Sequence, residues 1–370
     1  MANIITSIRD WFDRPTRAEV MTLARMASSK QGLKITAQLL QQTDTLTKKD
    51  INDWRNAHQV ALDYENPNRQ RLYDIYADCE LDAHLSGCIA QRKGKVLQKD
   101  FRLVDSNGKE DVAATELLQQ EWFADFLGYV LDSAYWGHSL IQLGDVIRGD
   151  GVMRYDCVEL VPRKHVIPEY GRVVINPGDD WRSGIPYREG DFANWCVEVG
   201  KPRNLGLLLK CACSYISKKN MLTFWDMFGE IFGQPMRIAT TNSPDESERA
   251  RVEHALENMG AAFWGLFPEG TNIEIKESSR GDAYNVFDRR IDRCNSEMSK
   301  AILNQTMTID SGSSLSQSEV HLEIFERTTE ADATMAGYTV NGRLLPLMAA
   351  HGFPVKGKRF VWNNAASYTP

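Results

Sequence analysis

The segment from Gly206 to Phe232 constrains this chain most, because its helical pattern is apolar around most of its circumference. A helix of that kind must be covered on nearly every side, by its own chain or by another subunit. No apolar run in the sequence is long enough to cross a bilayer. The cover therefore has to be protein. The apolar residues are Leu207, Leu208, Leu209, Cys211, Ile216, Met221, Leu222, Phe224, Trp225, Phe228, Ile231 and Phe232.

Length and charge limit the classes of protein to consider. The chain has 370 residues, which suggests two or three domains, and its 42% hydrophobic and 25% charged residues are typical of an ordered protein. It carries 43 Lys and Arg against 50 Asp and Glu, a net charge of -7. Strong general attraction to a nucleic-acid backbone is therefore not expected, which argues against a protein that wraps DNA.

The sequence contains no motif that would indicate catalysis. Phosphate-binding loops, dinucleotide fingerprints, HExxH helices and GxSxG elbows are all missing from it. The seven cysteines form no CxxC pair, and the seven histidines are dispersed, with His321 and Glu323 the nearest approach to a ligand pair. We expect no enzyme, no metal, no cofactor, no signal peptide and no membrane span. A cytoplasmic hydrolase whose Asp, Glu and His converge only in three dimensions stays open as the less favoured alternative.

The order of elements predicts an α+β fold. A helical layer up to Gln98 is followed by a short strand at Phe101–Val104 and a helix through Leu117 to Leu131. Short β-type runs then alternate with Gly, Pro, Asn and Asp turns, which predicts a small, mostly antiparallel sheet. These runs are Ser139–Val146, Tyr155–Val161, Arg172–Ile175 and Phe192–Val199.

The chain after the apolar helix consists of a small module, two helices and a polar segment between them. Residues 233–285 hold nine acidic and five basic residues and begin a helix at Ser243-Pro-Asp-Glu246. A second helix is predicted from Val286 to Leu303, and a long one from Glu319 to Ala350, with Gly337 and Gly342 as points of bending. Residues 304–318 between them are rich in hydroxyl side chains, which is typical of a loop.

Three basic residues near Gln98 have two interpretations. Arg92, Lys93 and Lys95 lie in closing helical turns, where the helix dipole favours cations. A packed helix end is the favoured interpretation, and a nucleic-acid patch is the alternative. The apolar stripe of this helical region is Leu72, Ile75, Tyr76, Leu81, Leu85, Ile89 and Val96.

Four stretches in this order resemble the phage portal proteins, and most closely the portal family of Mu-like phages. They span roughly residues 50 to 350 and are DIYADCELDAHLSGCIAQRKGKVL (74–97), LLQQEWFADFLGYVLDSAYWGHSLI (117–141), FWDMFGEIFGQPMRI (224–238) and the segment from Asn304 to Ser314. The resemblance implies a homo-oligomeric ring, typically a dodecamer, at a unique capsid vertex of the virion, assembled in the host cytoplasm. Double-stranded DNA would be packaged and ejected through that ring.

The resemblance also implies a role for each segment. Residues 1–208 would be the N-terminal arm and wing, 209–232 the first stem helix, 233–285 the clip, 286–304 the second stem helix, 305–318 the tunnel loop, 319–350 the helix returning to the wing, and 351–370 a tail with a reduced crown. The implied partners are further copies of the chain, passing DNA, a terminase motor, the major capsid protein and a head-tail adaptor. No membrane is involved.

The residues implied to carry this function fall into three groups. The tunnel loop would use Gln305, Thr306, Thr308, Asp310, Ser311, Gly312, Ser313, Ser314, Ser316 and Gln317. The stem would use Trp225, Phe228, Glu230, Phe232, Arg289, Arg290, Arg293 and Lys300. The clip would dock the motor or adaptor through Glu246, Glu248, Glu253, Glu257 and Glu269.

Physical reasoning from the residues agrees with a channel but leaves alternatives. A pore through which DNA slides cannot hold phosphates tightly, and a nearly uncharged loop in an acidic chain meets that requirement. The loop has an ordinary surface linker as its alternative. The stem cations either contact passing DNA weakly or pair between subunits with Asp288, Asp292 and Glu297. A capsid or neck adaptor that forms no DNA channel is the alternative function.

Overall fold

The structure is a computed structural model that describes residues 51–149, 152–232, 236–240, 245–257, 272–276, 283–305 and 315–363. Residues outside these ranges, including the start of the predicted N-terminal arm, are not described. Among the helices in the described ranges, none combines the length and the apolar character that crossing a bilayer requires.

The described chain alternates helices and short strands, in agreement with the predicted α+β class. The helices are α1 (51–61), α2 (Gln70–Glu80), α3 (Ala83–Leu97), α4 (Val112–Glu116), α5 (Glu121–Trp136), α6 (Gly190–Trp195), α7 (Leu208–Phe232), α8 (Glu246–Glu257), α9 (Ala283–Leu303), α10 (Leu315–Thr339) and α11 (Leu345–Ala350). The strands are β1 (Phe101–Val104), β2 (His138–Leu143), β3 (Val146–Gly149), β4 (Val152–Tyr155), β5 (Val158–Leu160), β6 (Val166–Ile167), β7 (Arg172–Val173), β8 (Ile185–Pro186), β9 (Cys196–Gly200), β10 (Met236–Thr240), β11 (Asn272–Lys276) and β12 (Arg359–Trp362).

The described residues belong to two compact units. One unit lies within 218–292 and contains the antiparallel pair β10 and β11 together with α8. The other unit, which we call the body, comprises residues 48–217 and 293–370. The chain passes between the units inside α7 and again inside α9.

The larger core of the body packs α5 against the antiparallel sheet β5-β2-β9. Ile141 on the central strand β2 pairs with Leu160 on one side and with Val197 on the other. Phe126 and Val130 on α5 are fully buried against this sheet, as the apolar stripe of α5 requires. Residues of α10 and β12 belong to the same core.

A second core of the body lies where the two long helices begin and end. It combines apolar residues of α1, α2 and α3 with the first turns of α7 and the last turns of α9. Tyr76 is fully buried there, and its hydroxyl donates to the carbonyl oxygen of Leu205 at 2.7 Å, just before α7. The starting position of α7 is therefore set by the body.

The long helix predicted for 319–350 contains a π-helical turn at Val340–Leu344 between α10 and α11. The Asn341 side chain lies in this turn and forms both hydrogen bonds of a strand neighbour with Phe360 on β12, at 2.8 and 2.9 Å. The Trp362 indole donates to the carbonyl oxygen of Ala333 at 2.7 Å. The π turn thus places the Asn341 side-chain amide beside β12, where it pairs with the backbone N–H and C=O of Phe360 at the strand edge.

Some sequence-based expectations were wrong in detail. Residues 190–195 form helix α6 rather than the start of a strand, and this turn of helix stacks Trp195 on His351 with ring centroids 4.0 Å apart. The helical stripe before Gln98 is divided, because the Asp82 side chain accepts from the Leu85 amide and begins α3. Leu81, predicted to be in the stripe, lies at this break and is 81% exposed.

The polar segment after α9 is shorter than predicted. Helix α10 begins at Leu315, so Ser316 and Gln317 belong to its first turn and not to a loop. Asn304 has a left-handed φ of 57° and ends α9, as asparagine commonly does after a helix. The part of the predicted loop from Thr306 to Ser314 lies outside the described residues.

Candidate functional site at the bases of the two long helices

Helix α7 is buried at its base and partly exposed beyond it. Leu208, Cys211 and Ala212 are at most 1% exposed in the second core of the body. Leu222 and Phe224 are each 41% exposed in the single chain. These side chains are large and apolar, so among the described residues the cover that the sequence requires for this helix is only partly provided.

Helix α9 separates its apolar and charged residues onto different faces. Met298 and Ile302 are fully buried in the same core as the base of α7. On the exposed side, Glu297 pairs with Arg293 at 3.0 Å and with Lys300 at 3.2 Å. Two of the four predicted stem cations therefore have an acidic partner on their own helix.

The last turns of α9 are held by α3 and α10. The buried hydroxyl of Ser299 lies 2.8 Å from Nε2 of His84 on α3. Beyond the helix end, Nδ2 of Asn304 donates to the hydroxyl of Thr328 on α10 at 3.0 Å. Gln305 is only 3% exposed, so the expectation that this side chain lines a passage was wrong. Gln305 directly follows Asn304, whose φ is left-handed.

A buried arginine joins three helices at this place. Nε of Arg92 donates to Oδ2 of Asp332 at 2.6 Å, and Nη2 donates to Oδ1 at 2.9 Å. Nη1 donates to the carbonyl oxygen of Ile302, in the last turn of α9. Burial alone would lower the pKa of Arg92, but hydrogen bonding to Asp332 and its negative charge outweigh burial and raise the pKa above its usual value. We call Arg92, Asp332 and the Ile302 carbonyl the clamp.

The neighbouring cations in α3 and just after it also pair with acidic side chains. Lys93 contacts Asp132 at 2.5 Å, and Lys99 pairs with Glu330 on α10. Lys95 lies 3.8 Å from Glu326. This geometry agrees with the favoured interpretation of a packed helix end, because each of these cations has an acidic partner within the body.

A second network of charged and polar groups, centred on Glu198 of β9, lies at the edge of the sheet. Its Oε1 accepts hydrogen bonds from Tyr187 at 2.8 Å and Arg188 at 2.6 Å, and it lies 3.1 Å from Nε2 of the buried His138. Burial would raise the pKa of Glu198, but these hydrogen bonds outweigh burial and hold it well below its usual value. Burial lowers the pKa of His138 in spite of the opposing hydrogen bond to Glu198.

The remaining predicted residues are placed as follows. Trp225 is half-buried, and the side chains of Arg289, Arg290, Arg293, Lys300, Glu246 and Glu253 are exposed. For Phe228, Glu230, Phe232, Glu248, Glu257, Ser316 and Gln317 the structure describes the helical backbone and not the side chain. Thr306, Thr308, Asp310, Ser311, Gly312, Ser313, Ser314 and Glu269 lie outside the described residues. Within the described ranges, no three His, Cys, Asp or Glu side chains are grouped so that they could hold a metal ion.

The clamp was missed by sequence reasoning, although a signal was present. Arg92 occupies a position on the apolar stripe of α3, one helical turn from Cys88 and from Val96, both fully buried. Asp332 likewise lies between the buried Thr329 and Ala333 on α10. A charge at such a position requires a buried partner of opposite sign, which could have prompted a search for one.

Comparison with known proteins identifies the family. The family described as the portal protein of Mu bacteriophage matches residues 73–368. A chain from the neck of an empty gene transfer agent particle, solved with C6 symmetry, has a TM-score of 0.54 at 10% identity, covering 78% of this chain and 82% of that one. A chain of the native gene transfer agent virion has a TM-score of 0.53 at 11% identity, covering 80% and 85%. These two similarities establish the fold.

Two further results complete the comparison. An HK97 family phage portal protein from Corynebacterium diphtheriae is 13% identical over 78% of this chain and 94% of that one, with a TM-score of 0.43. Among curated protein sequences, none matches this chain. Because the family match extends over most of the sequence, from the middle of α2 to beyond β12, the chain belongs to the family of Mu bacteriophage portal proteins.

Proposed function

We propose that copies of this chain form a ring-shaped channel at one capsid vertex, through which double-stranded DNA is packaged and later ejected. Family membership supports the class of protein. The observation that carries the ring is α7, which starts in the core of the body yet leaves Leu222 and Phe224 41% exposed. Packing against neighbouring copies in a closed ring would cover these residues without leaving an unpaired end.

The segments take the following roles in this proposal. Helices α7 and α9 form the stem, and residues 233–285 between them form the clip. Residues 306–314, which connect α9 to α10, form the tunnel loop, with Gln305 excluded because it is buried. The body forms the wing. This assignment is supported by the way that α7 leaves the same core to which α9 returns.

The proposed channel allows DNA to slide because it offers phosphates few fixed cations. Each phosphate neutralised by a Lys or Arg adds affinity through counterion release, and strong affinity would slow translocation. Asp310 is the only charged residue between Asn304 and Ser318. Arg293 and Lys300 have Glu297 as a partner on α9, which reduces their attraction for phosphate.

The proposed partners follow from the charges and from the family. The clip presents the exposed acidic side chains Glu246 and Glu253 on α8, which suit a basic surface of a packaging motor or a head-tail adaptor. The ring would be held in the capsid by the major capsid protein. Energy for translocation would come from a separate terminase motor, with no catalytic role for this chain.

Imaging the purified protein tests the architecture. We expect a closed ring with a central opening wide enough for a duplex and with helices projecting from its body. A ring without projecting helices would instead support the adaptor alternative. A monomer with a deep polar pocket would contradict the channel and favour a hydrolase.

The tunnel loop has its own test, which uses charge. We expect Ser311→Lys with Ser313→Lys to slow packaging, because new cations attract phosphates, and higher salt to restore part of the rate. The matched control, Ser311→Glu with Ser313→Glu, adds side chains of similar length with the opposite charge and is expected to leave packaging close to wild type. Equal packaging rates for the two pairs in assembled rings would contradict contact between this segment and DNA.

A further inference from the structure

The outer face of the two-stranded sheet formed by β1 and β12 contains a groove with two arginines. Arg102 on β1 and Arg359 on β12 lie on this same face, and their cross-strand neighbours there are Val361 and Val104. Together with the turn at 105–108, these residues line a cavity of about 690 Å³, which we call the groove. Diagonal neighbours on paired strands lie about 7–8 Å apart, so both guanidinium groups can contact one occupant.

The charges of the two arginines in the groove are not used within the body. Both side chains are exposed, and within the described ranges neither forms an ion pair or a side-chain hydrogen bond. Asp105 is the one acidic residue among those that line the groove, and its Oδ1 accepts from backbone amides of its own turn at 2.8 and 3.0 Å. Because guanidinium groups bind carboxylates through paired hydrogen bonds, the groove fits an occupant that combines carboxylates with an apolar side chain.

The turn between α2 and α3 carries this combination of side chains. Leu81 is 81% exposed, more than any other large apolar side chain in the described part of the chain. Asp78 and Glu80 are exposed as well, and neither pairs with a cation among the described residues. Asp82 follows as the N-cap of α3. We call residues 78–82 the corner.

The corner and the groove lie at opposite ends of α3. The corner directly precedes this helix, and β1 begins shortly after the helix ends. The 15 residues of α3 span about 22 Å, which makes the corner and the groove separate surfaces of the body. Two different complementary surfaces on one chain produce head-to-tail contacts, and these close into a ring when successive copies complete one full turn.

We propose that the corner of each copy docks into the groove of the next copy around the ring. Leu81 supplies the apolar contact with the valines of the groove, and the carboxylates of Asp78 and Glu80 pair with its two arginines. This inference rests on the proposed ring and names a contact between bodies that is separate from the outer half of α7. The opposite charges of the two surfaces make a second copy of this chain the occupant.

Two variants of the full chain reverse the charge of one surface each. The groove variant, Arg102→Glu with Arg359→Glu, makes the groove acidic. The corner variant, Ala77→Lys with Asp78→Lys and Glu80→Gln, makes the corner basic and keeps Leu81. Its glutamine retains the acceptor that position 80 offers to a tryptophan indole.

The matched control is Arg148→Glu with Arg154→Glu, which changes two exposed arginines on the paired strands β3 and β4. Every substituted side chain in the three variants is exposed, so we expect all three to unfold at the urea concentration of the wild type. Native mass spectrometry across a dilution series measures assembly. We expect the groove variant and the corner variant, each alone, to need at least about tenfold more protein than wild type to form rings, because like charges then meet at the contact. The control should assemble like wild type.

An equimolar mixture of the groove and corner variants is the decisive measurement. In the mixture each acidic groove can take a basic corner, and each unchanged groove can take an unchanged corner. We expect rings at the wild-type concentration that contain the two chains in equal numbers. A mixture without rings, full assembly of either variant alone, or loss of rings in the control would each overturn the docking. Wild-type protein that forms no ring would instead contradict the proposed channel, whereas wild-type rings beside unaffected variants would remove only this contact.

Discussion

The body and the outer half of α7, residues 218–232, differ in how their apolar side chains are covered. In the body, α5 carries a stripe of apolar residues that is buried against its own sheet, with Phe126 and Val130 fully covered. Beyond Ser217, α7 has apolar residues on most faces, and Leu222 and Phe224 stay 41% exposed. The body is therefore stabilised by contacts among its own described residues, whereas the outer half of α7 keeps large apolar side chains that the described residues leave partly uncovered.

The same difference applies to charges. Charged groups buried in the body have partners of opposite sign, such as Arg92 with Asp332 and Glu198 with Arg188. The pair of Arg92 with Asp332 joins two helices that lie 240 residues apart in the sequence. In the outer half of α7, from Lys218 on, Asp226 is exposed and lies between Trp225 and Met227 in the sequence. A surface of this composition is typical of an interface more than of a solvated face.

The largest expected effect on the single chain is in the second core of the body. Met298→Ala removes a fully buried side chain and is expected to lower the free energy of unfolding by about 2–5 kcal/mol, because it removes apolar contacts and leaves a cavity. Val286→Ala on the same helix is the control: Val286 is 66% exposed, so the change should stay within about 0.5 kcal/mol. Urea unfolding of dilute, monomeric protein measures both. Equal losses would contradict the placement of the core at the base of α9.

The next effect concerns pH and the network at Glu198. The folded state lowers the pKa of this carboxyl below its unfolded value of about 4.3, so the carboxylate stabilises the body above about pH 5, and this contribution is lost as pH falls below about 4. Glu198→Gln is expected to cost about 2 kcal/mol at pH 7 and progressively less as pH falls below about 4. The control Glu189→Gln changes an exposed neighbour and should alter neither value. A loss for Glu198→Gln that is independent of pH would contradict the network.

Sequence reasoning located the elements better than the contacts between them. The pattern predicted a helix at 206–232 and a strand at 101–104, and the structure has helix 208–232 and strand 101–104. The second long helix was predicted for 286–303 and extends from 283 to 303. Periodicity is a local property, so these elements can be predicted without knowing their neighbours.

The clamp and the local turns depend on tertiary packing. Arg92 and Asp332 are 240 residues apart, and the stripe positions indicate that each is buried but not which partner it has. Gln305 belongs to a polar segment, yet its side chain is buried after the left-handed turn at Asn304. Residues 192–195 were predicted to begin a strand but form a helical turn, in which Trp195 stacks on His351. For the predicted site residues, the sequence indicated whether each lies in a helix or a loop, but it did not indicate the direction of each side chain.

The smallest expected effect on the stability of the single chain is at the outer half of α7, where the difference from the buried body is greatest. Leu222→Ser with Phe224→Ser should change the free energy of unfolding of the monomer by less than about 1 kcal/mol per residue, because both side chains are already partly exposed. The same pair should strongly weaken assembly, since it removes apolar area that neighbouring copies would cover. Native mass spectrometry across a dilution series measures the loss of rings. Val112→Ser, at a 62% exposed position on α4, is the matched control and should leave assembly intact. Rings that persist in the double variant would mean that α7 is covered within its own chain, and the contrast between the two regions would disappear.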